Sequence, residues 1–164
     1  MKRTFAVGAL TAALALTATS FAGADPATVG PTGYKGLHMG QSAADGEATG
    51  LLVDKQPDGA CTRYYLAPSE GGQDRAGGVW FDRNQGLVLL SGTDRTHTPE
   101  GITVDSTLDQ VRHAYPDLVQ LPPPEDHVYT TEVPGHPNLH YRFAISNVQT
   151  VNDYGINASS LGAC

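Results

Sequence analysis

Six histidines are the side chains of this sequence that are best suited to hold a metal ion or to move a proton. They are His38, His97, His113, His127, His136 and His140. His136 and His140 are four residues apart, which is the spacing of two zinc ligands on neighbouring turns of a helix. Pro134, Gly135 and Pro137 argue against a helix here, and His140 is predicted to lie in a strand, so the two rings need not converge. The sequence therefore predicts no metal site and no cofactor site.

A hydrolase would need a nucleophile, a histidine and an acid that the fold brings together. The chain has no Gly-x-Ser-x-Gly nucleophile elbow, although Ser91 ends a predicted strand and Asp94 and His97 follow it in a polar loop. Such closeness in sequence is ordinary in a polar loop, so no catalytic residue is assigned. The alternative that stays open is a small secreted hydrolase whose site is assembled from scattered histidines and acids, with His97 or His140 among them.

Aromatic residues on predicted strands are the best candidates for a binding surface. Trp80 alternates with Val79 and Phe81, so its ring is predicted to point to the opposite face of the sheet. Since Trp and Tyr contribute much of the energy of protein interfaces, an exposed face would make Trp80 the anchor of a surface that includes Tyr64 and Tyr129. The alternative is that a helix covers this face and that Trp80 belongs to the core.

The segment 101–116 is the clearest secondary-structure signal, and it predicts a short strand followed by a helix. Ser106 and Asp109 have the spacing of a capping box at the start of a helix. Three apolar residues then share one face of this helix: Leu108, Val111 and Tyr115. Pro116 disfavours helical geometry at the residue before it, so the helix is predicted to end there.

A similar run at 36–45 predicts a second, weaker helix and suggests an internal repeat. Gly36 aligns with Gly101 at an offset of 65 residues (101 − 36), and Ser42 with Asp45 repeats the capping spacing. Gly46 would weaken this helix by about 1 kcal/mol relative to alanine. The alternative is a chance similarity between two short junctions of a strand and a helix.

Patterns typical of strands follow each predicted helix. They cover residues 61–66, 79–81, 87–91, 127–133, 139–145 and 151–156, whereas 55–59 is predicted to be a turn. The fold class is therefore predicted as α+β, with one antiparallel sheet or two small ones and two short helices. The two halves, 36–92 and 101–157, would form a tandem repeat of one helix plus three strands.

The N-terminus has the pattern of a secretory signal over residues 1–24. Lys2 and Arg3 precede an apolar stretch, and Ala22-Gly23-Ala24 fits a cleavage site. Residues 25–35, rich in glycine, proline and threonine, are predicted to be a flexible lead-in to a single domain that spans 36–164. The protein is thus expected to be secreted.

The charge and hydropathy of the chain argue against two classes of partner. Without the two basic residues of the signal, the formal charge is 8 − 17 = −9. So acidic a chain lacks the electrostatic surface that nucleic acids require. No remaining apolar run approaches the roughly 20 residues that span a bilayer. The sequence does not indicate an oligomeric state.

The two cysteines, Cys61 and Cys164, are predicted to form a disulfide because exported proteins fold in an oxidising environment. A reactive thiol pair is the alternative, but the chain has no Cys-x-x-Cys motif.

The Gly-Leu/Ile-x-Met/Val runs within 36–45 and 101–115 resemble the opening of small exported α+β modules, namely the outer-membrane-assembly small lipoproteins and the β-lactamase inhibitory proteins. The latter are secreted, disulfide-bearing tandem repeats of helices packed on a sheet, and they act by binding another protein. The chain departs from them, because Asp105 replaces the expected glycine. A second helical element in each repeat is not evident either, and one cysteine pair spans both halves.

The chain is also similar overall to small uncharacterised secreted proteins of high-GC Gram-positive bacteria, especially at Tyr115-Pro116-Asp117 and Val133-Pro134-Gly135. That likeness implies that the protein is secreted, but it does not indicate which residues would bind a ligand. With no catalytic motif found, we expect a secreted, non-enzymatic module that binds a protein or a cell-envelope component. An envelope-associated structural protein without a specific ligand is a further alternative.

Overall fold

The computed structural model describes residues 27–72 and 76–164, so the predicted signal at 1–24 lies outside the described residues. The first half contains α1 (Ala43–Ala48), β1 (Leu52–Asp58), β2 (Cys61–Leu66), a 3-10 helix (Pro68–Glu70), β3 (Gly78–Asp82) and β4 (Gly86–Ser91). The second half contains α2 (Leu108–Ala114), β5 (Val119–Gln120), β6 (Val128–Val133), β7 (His136–Ile145) and β8 (Val151–Ala158).

Within the described residues, eight strands form one antiparallel sheet in the order β1-β2-β3-β4-β8-β7-β6-β5. Each half is a meander of four strands, and β4 joins β8 at the centre, where Leu89 lies opposite Asn157 and Ser91 lies opposite Gly155. The predicted antiparallel sheet with two short helices is confirmed, although the sheet dominates the fold. Each half has one helix and four strands, not the three strands predicted.

The strand missed in the first half is β1, which includes most of the segment predicted to be a turn. Pro57 has no N–H to donate, but β1 is the edge strand, where this loss is tolerated. The register of β1 against β2 shifts between Val53 and Gln56, where Asp54 has a φ of 55°. Only Gly59 and Ala60 separate the two strands. In the second half the extra strand, β5, also lies at an edge and has two residues.

Both helices pack on one face of the sheet. A Cβ added at Gly46 of α1 would lie 2.6 Å from the Phe81 ring, so glycine lets this helix rest directly on the sheet. This close contact explains why a glycine occupies position 46. From the sequence alone, Gly46 is only a residue that weakens the helix. Tyr115, at the end of α2, packs between Tyr141 and Phe143, with ring centroids 5.3 and 5.1 Å apart.

The start of α1 is capped as predicted, whereas that of α2 is capped one residue later. Ser42 Oγ accepts a hydrogen bond from the backbone N–H of Asp45. In α2 the N-cap is Thr107, which forms a full capping box with Gln110, so the prediction of Ser106 with Asp109 is wrong. Ser106 Oγ instead accepts from the N–H of Thr103 in the preceding turn. Both residues can cap, and the turn geometry selects between them.

Residues 27–35, the described part of the predicted flexible lead-in, pack onto the domain. Val29 and Tyr34 are 0% and 3% exposed and belong to the core. The backbone N–H of Val29 donates to the carbonyl of His97 over 2.9 Å. The Tyr34 hydroxyl and the Lys35 ammonium both donate to the Glu70 carboxylate, each over 2.5 Å. These polar contacts attach the segment to the 3-10 helix.

Cys61 and Cys164 form the predicted disulfide, which joins positions 103 residues apart. It fixes residues 159–164, which follow β8, against the beginning of β2. Apart from the bond, this segment is held by few contacts, among them a hydrogen bond of 2.8 Å from the N–H of Ala163 to Asp82 Oδ2.

We expect that replacing both cysteines, Cys61→Ser with Cys164→Ser, lowers the free energy of unfolding by about 4–5 kcal/mol. This is the chain-entropy value for a loop of about 100 residues. Equilibrium unfolding in guanidinium of the double variant and of the oxidised protein measures the difference. A loss below about 1 kcal/mol would contradict the expectation.

The contacts of Glu70 also predict how stability depends on pH. The hydrogen bond from Lys35, and then that from Tyr34, hold the pKa of Glu70 below its usual range. The carboxylate therefore stabilises the fold above its ordinary pKa, and this contribution is lost as the pH falls through the lower pKa of the folded state. At pH 7, Glu70→Gln is expected to lower the free energy of unfolding by about 1 kcal/mol.

Thermal unfolding between pH 7 and pH 3 tests this, because the gap in melting temperature between wild type and Glu70→Gln should close towards pH 3. Glu47→Gln is the matched control, since Glu47 accepts from Lys55 and Tyr64 in the same way but its side chain is 42% exposed. Its effect should be smaller. A difference in melting temperature between wild type and Glu70→Gln that does not change with pH would contradict the stabilising role of the ionised Glu70 carboxylate.

Candidate binding surface

The face of the sheet opposite α1 and α2, here called the open face, carries a continuous row of side chains. In an antiparallel sheet, residues that lie directly opposite each other on adjacent strands point to the same side. Such pairs link five residues from β2 to β7: Arg63, Trp80, Leu89, Asn157 and His140. Trp80 is half-buried, and its neighbours in β3 face the core, as the alternation predicts.

Trp80 is held in place by Arg63. The guanidinium carbon lies 4.7 Å from the centre of the indole ring, which is a cation–π contact. The same guanidinium lies 3.5 Å from the carboxylate of Asp58. Within the described residues, the indole Nε1 has no hydrogen-bond acceptor. The ring is therefore fixed from one side and keeps an unused donor.

A depression of about 670 Å³ lies beside Trp80 on the open face. Small residues leave this space, since Gly78 and Ser91 line it where larger side chains would fill it. A Cβ added at Gly78 would lie 3.4 Å from Trp80 Nε1 and 4.0 Å from Ser91 Oγ. Larger residues form the walls: Tyr65, Trp80, Leu89, Val104, Glu125, Arg142, Asn152, Asp153, Asn157, Leu161 and Cys164.

The polar groups of the wall are partly paired. Arg142 Nη1 donates to Asp153 Oδ2 over 2.7 Å, so these opposite charges compensate each other. Asn157 Nδ2 donates to the carbonyl of Ala158, whereas Asn157 Oδ1 is buried and has no partner within the described residues. A buried acceptor without a donor costs about 1–3 kcal/mol of stability.

One wall is the segment 159–164, which the disulfide holds over the edge of the open face. Leu161 and Cys164 of this segment line the depression. Asp82, 4% exposed, accepts hydrogen bonds from the N–H groups of Ala163, Asn84 and Gln85. The hydrogen bond from Ala163, and then those from Asn84 and Gln85, hold the pKa of Asp82 below its usual range. The shape of the depression therefore depends on the tertiary position of the C-terminal segment.

Two of the three aromatic residues predicted to form one binding surface lie on the other side of the sheet. Tyr64 is 2% exposed, meets Phe81 edge to face at 5.5 Å, and donates from its hydroxyl to Glu47. Tyr129 packs against the core, where Arg112 of α2 lies 5.9 Å from its ring. Both positions on the binding surface were therefore wrong.

The reason for this error is strand register. Tyr64 lies opposite Val79, and Tyr129 lies opposite Phe143, so both share the face of core residues. The aromatic residue that accompanies Trp80 is Tyr65, next in sequence to Tyr64. Two adjacent tyrosines in a strand must point to opposite faces, so the sequence indicated that one of them faces away from the core but not which one.

Within the described residues, the two histidines considered for a hydrolytic site contact main-chain and hydroxyl groups. His97 lies against Thr28 and Val29, with its Nδ1 2.8 Å from the carbonyl of Thr98, and not against Ser91. His140 Nδ1 is 3.3 Å from Ser159 Oγ, an exposed contact. Among the described residues, no three histidine, cysteine or acidic side chains lie close enough to hold a metal ion.

Comparisons with protein-family models, with curated proteins and with solved structures found no match to this chain. In the described part of the chain, no helix has the length and apolar character needed to cross a membrane.

The contact between Arg63 and Trp80 predicts a spectroscopic change. The chain has a single tryptophan, so its fluorescence reports on this site alone. Arg63→Ala removes the guanidinium from one face of the ring, and we expect acrylamide to quench the fluorescence more strongly. Arg83→Ala is the control, because Arg83 bonds to the Gly59 carbonyl in a turn. Equal quenching of wild type and Arg63→Ala would show that Arg63 does not cover the ring.

Proposed function

We propose that the chain is a secreted, non-enzymatic module that binds a protein or a cell-envelope component through its open face. The observation that carries this proposal is the depression beside Trp80, which lies on the side of the sheet opposite both helices. A half-buried tryptophan held by an arginine, next to unused hydrogen-bonding atoms, is typical of a binding anchor. The predicted signal at 1–24 and the disulfide support an extracellular location.

The hydrolase alternative has less support. The contact of His140 with Ser159 would be its best starting point, and Glu132 is the register partner of His140 on β6. The serine and the glutamate are both exposed, and within the described residues no hydrogen bond joins Glu132 to His140. A Ser-His-acid triad requires a histidine that is oriented by hydrogen bonding to its acid.

We also propose that the chain is a tandem duplication of a unit of one helix and a meander, with halves at 36–92 and 101–157. The mirrored strand order, in which β1 to β4 run from one edge to the centre and β5 to β8 from the other edge to the centre, supports this. So does the capped helix at the start of each half. Under this proposal the resemblance to the β-lactamase inhibitory proteins reflects a shared plan of helices packed on a sheet.

An affinity capture tests the binding proposal. The oxidised protein, residues 25–164, is immobilised and exposed to culture fluid and to cell-wall extract of the producing organism, and mass spectrometry identifies what is retained. We expect Trp80→Ala to reduce the retention of a specific partner at least tenfold, because hot-spot residues each contribute about 2 kcal/mol or more.

Val148→Ser is the matched control, because Val148 is 79% exposed and does not line the depression. This variant should retain the same partner as wild type. Identical profiles for wild type and Trp80→Ala would remove the open face as the binding site and would favour an enzymatic or purely structural role.

A further inference from the structure

The depression on the open face has the size of a small-ligand site. Its volume of about 670 Å³ lies within the range of 300–1,000 Å³ that is usual for such sites. A protein partner of standard interface size would instead cover about 800 Å² of surface, much of it outside the depression. The occupant of the depression itself is therefore a compact ligand or a short chain.

Part of the wall of the depression is apolar. Trp80 and Leu89 are register partners on adjacent strands. Tyr65 lies on β2, two residues beyond the register partner of Trp80. Because Arg63 fixes one side of the indole, the ring is already in place before a ligand arrives. Such preorganisation lowers the entropic cost of binding.

Groups that donate and accept hydrogen bonds surround this apolar surface. Trp80 Nε1 is a donor without an acceptor in the described chain, and Asn157 Oδ1 is a buried acceptor without a donor there. The Ser91 hydroxyl lies between them on β4, next to Leu89 in the lining. A ligand that both donates and accepts, around an apolar face of its own, would satisfy these atoms.

The charges of the site favour a neutral ligand. Arg142 lies beside Asp153, and Arg63 beside Asp58, so each of these two cations has a carboxylate close to it. Among the described side chains of the lining, the remaining charge is the exposed carboxylate of Glu125, which repels anions. The formal charge of −9 without the signal adds to this repulsion.

We propose that the depression binds a neutral saccharide of two or three sugar units. A pyranose ring has an apolar C–H face, which stacks on the Trp80 indole, and hydroxyl groups at its edge. The hydroxyls donate to Asn157 Oδ1 and accept from Trp80 Nε1 and Arg142. This inference rests on the proposed function, because it names the ligand class of the same open face.

Fluorescence titration of the oxidised protein tests the inference, since Trp80 is the only tryptophan. The probes are triacetylchitotriose, cellotriose and maltotriose, with trigalacturonate as the anionic comparison and trialanine as the peptide comparison. We expect a saturable change with at least one neutral trisaccharide at a Kd of about 1 mM or tighter. We expect none with trigalacturonate or trialanine. Isothermal calorimetry provides a second readout that does not depend on the indole.

Two variants place the ligand within the depression. Asn157→Leu removes the unpaired acceptor and should weaken binding at least fivefold. Gly78→Ser adds a side chain to the floor, where an added Cβ meets its nearest atom, Trp80 Nε1, at 3.4 Å, and it should weaken binding by at least as much. Arg112→Ala, on the helix-covered face, is the control and should bind as wild type does. Circular dichroism of each variant checks that the fold is retained.

The outcomes separate this inference from the proposed function. If all three neutral trisaccharides fail to bind, or if trigalacturonate or trialanine binds better, the saccharide inference is overturned. A protein partner that is retained in a Trp80-dependent manner would still support the proposed function. Saccharide binding that Asn157→Leu and Gly78→Ser leave unchanged would also overturn the inference, because the sugar would then bind elsewhere.

Discussion

The pairing of β4 with β8 is the contact on which the rest of the structure depends. Each half of the chain is a meander with one helix, and a helix of six or seven residues cannot cover a sheet by itself. Joining the two central strands makes one sheet, on which both helices pack against a shared core. Gly155 permits this pairing, since a Cβ at this position would lie 2.4 Å from the carbonyl oxygen of Leu90.

This arrangement also creates the open face. Because both helices lie on the same side, the opposite side carries the row from Arg63 to His140, and no helix of the described residues covers it. The residues there are neither a continuous apolar surface nor a uniformly charged one. Trp80 and Leu89 lie between Arg63 and Asn157, so polar residues flank an apolar pair across the strands.

The C-terminal segment connects the stability of the fold to the shape of the site. The disulfide joins it to β2, and Asp82 binds the N–H of Ala163. Leu161 and Cys164 then form one side of the depression. Without the covalent bond, the few hydrogen bonds of an exposed segment would not outweigh the conformational entropy of ordering it. The same bond that restricts the unfolded chain therefore also completes the wall.

The sequence by itself determined the features that depend on local patterns. Alternation placed Trp80 on the face opposite Val79 and Phe81, and Ser42 was found as a cap. The pairing of Cys61 with Cys164 followed because the chain has no other cysteine. The alternation and the cap involve residues that are close in sequence, and two cysteines allow a single pairing. The types of these residues are therefore enough to predict the local structure and the disulfide.

Only the tertiary structure decided which face each strand presents and which residues meet across strands. Tyr64 and Tyr65 are the same type of residue, so the sequence does not decide which of them faces the surface. Because Tyr64 lies opposite Val79, it points into the core. Pro57 belongs to a pattern that predicts a turn, but it lies in an edge strand, where the missing N–H does not remove a hydrogen bond of the sheet. Register and edge position follow from contacts between residues far apart in the chain, which local periodicity does not encode.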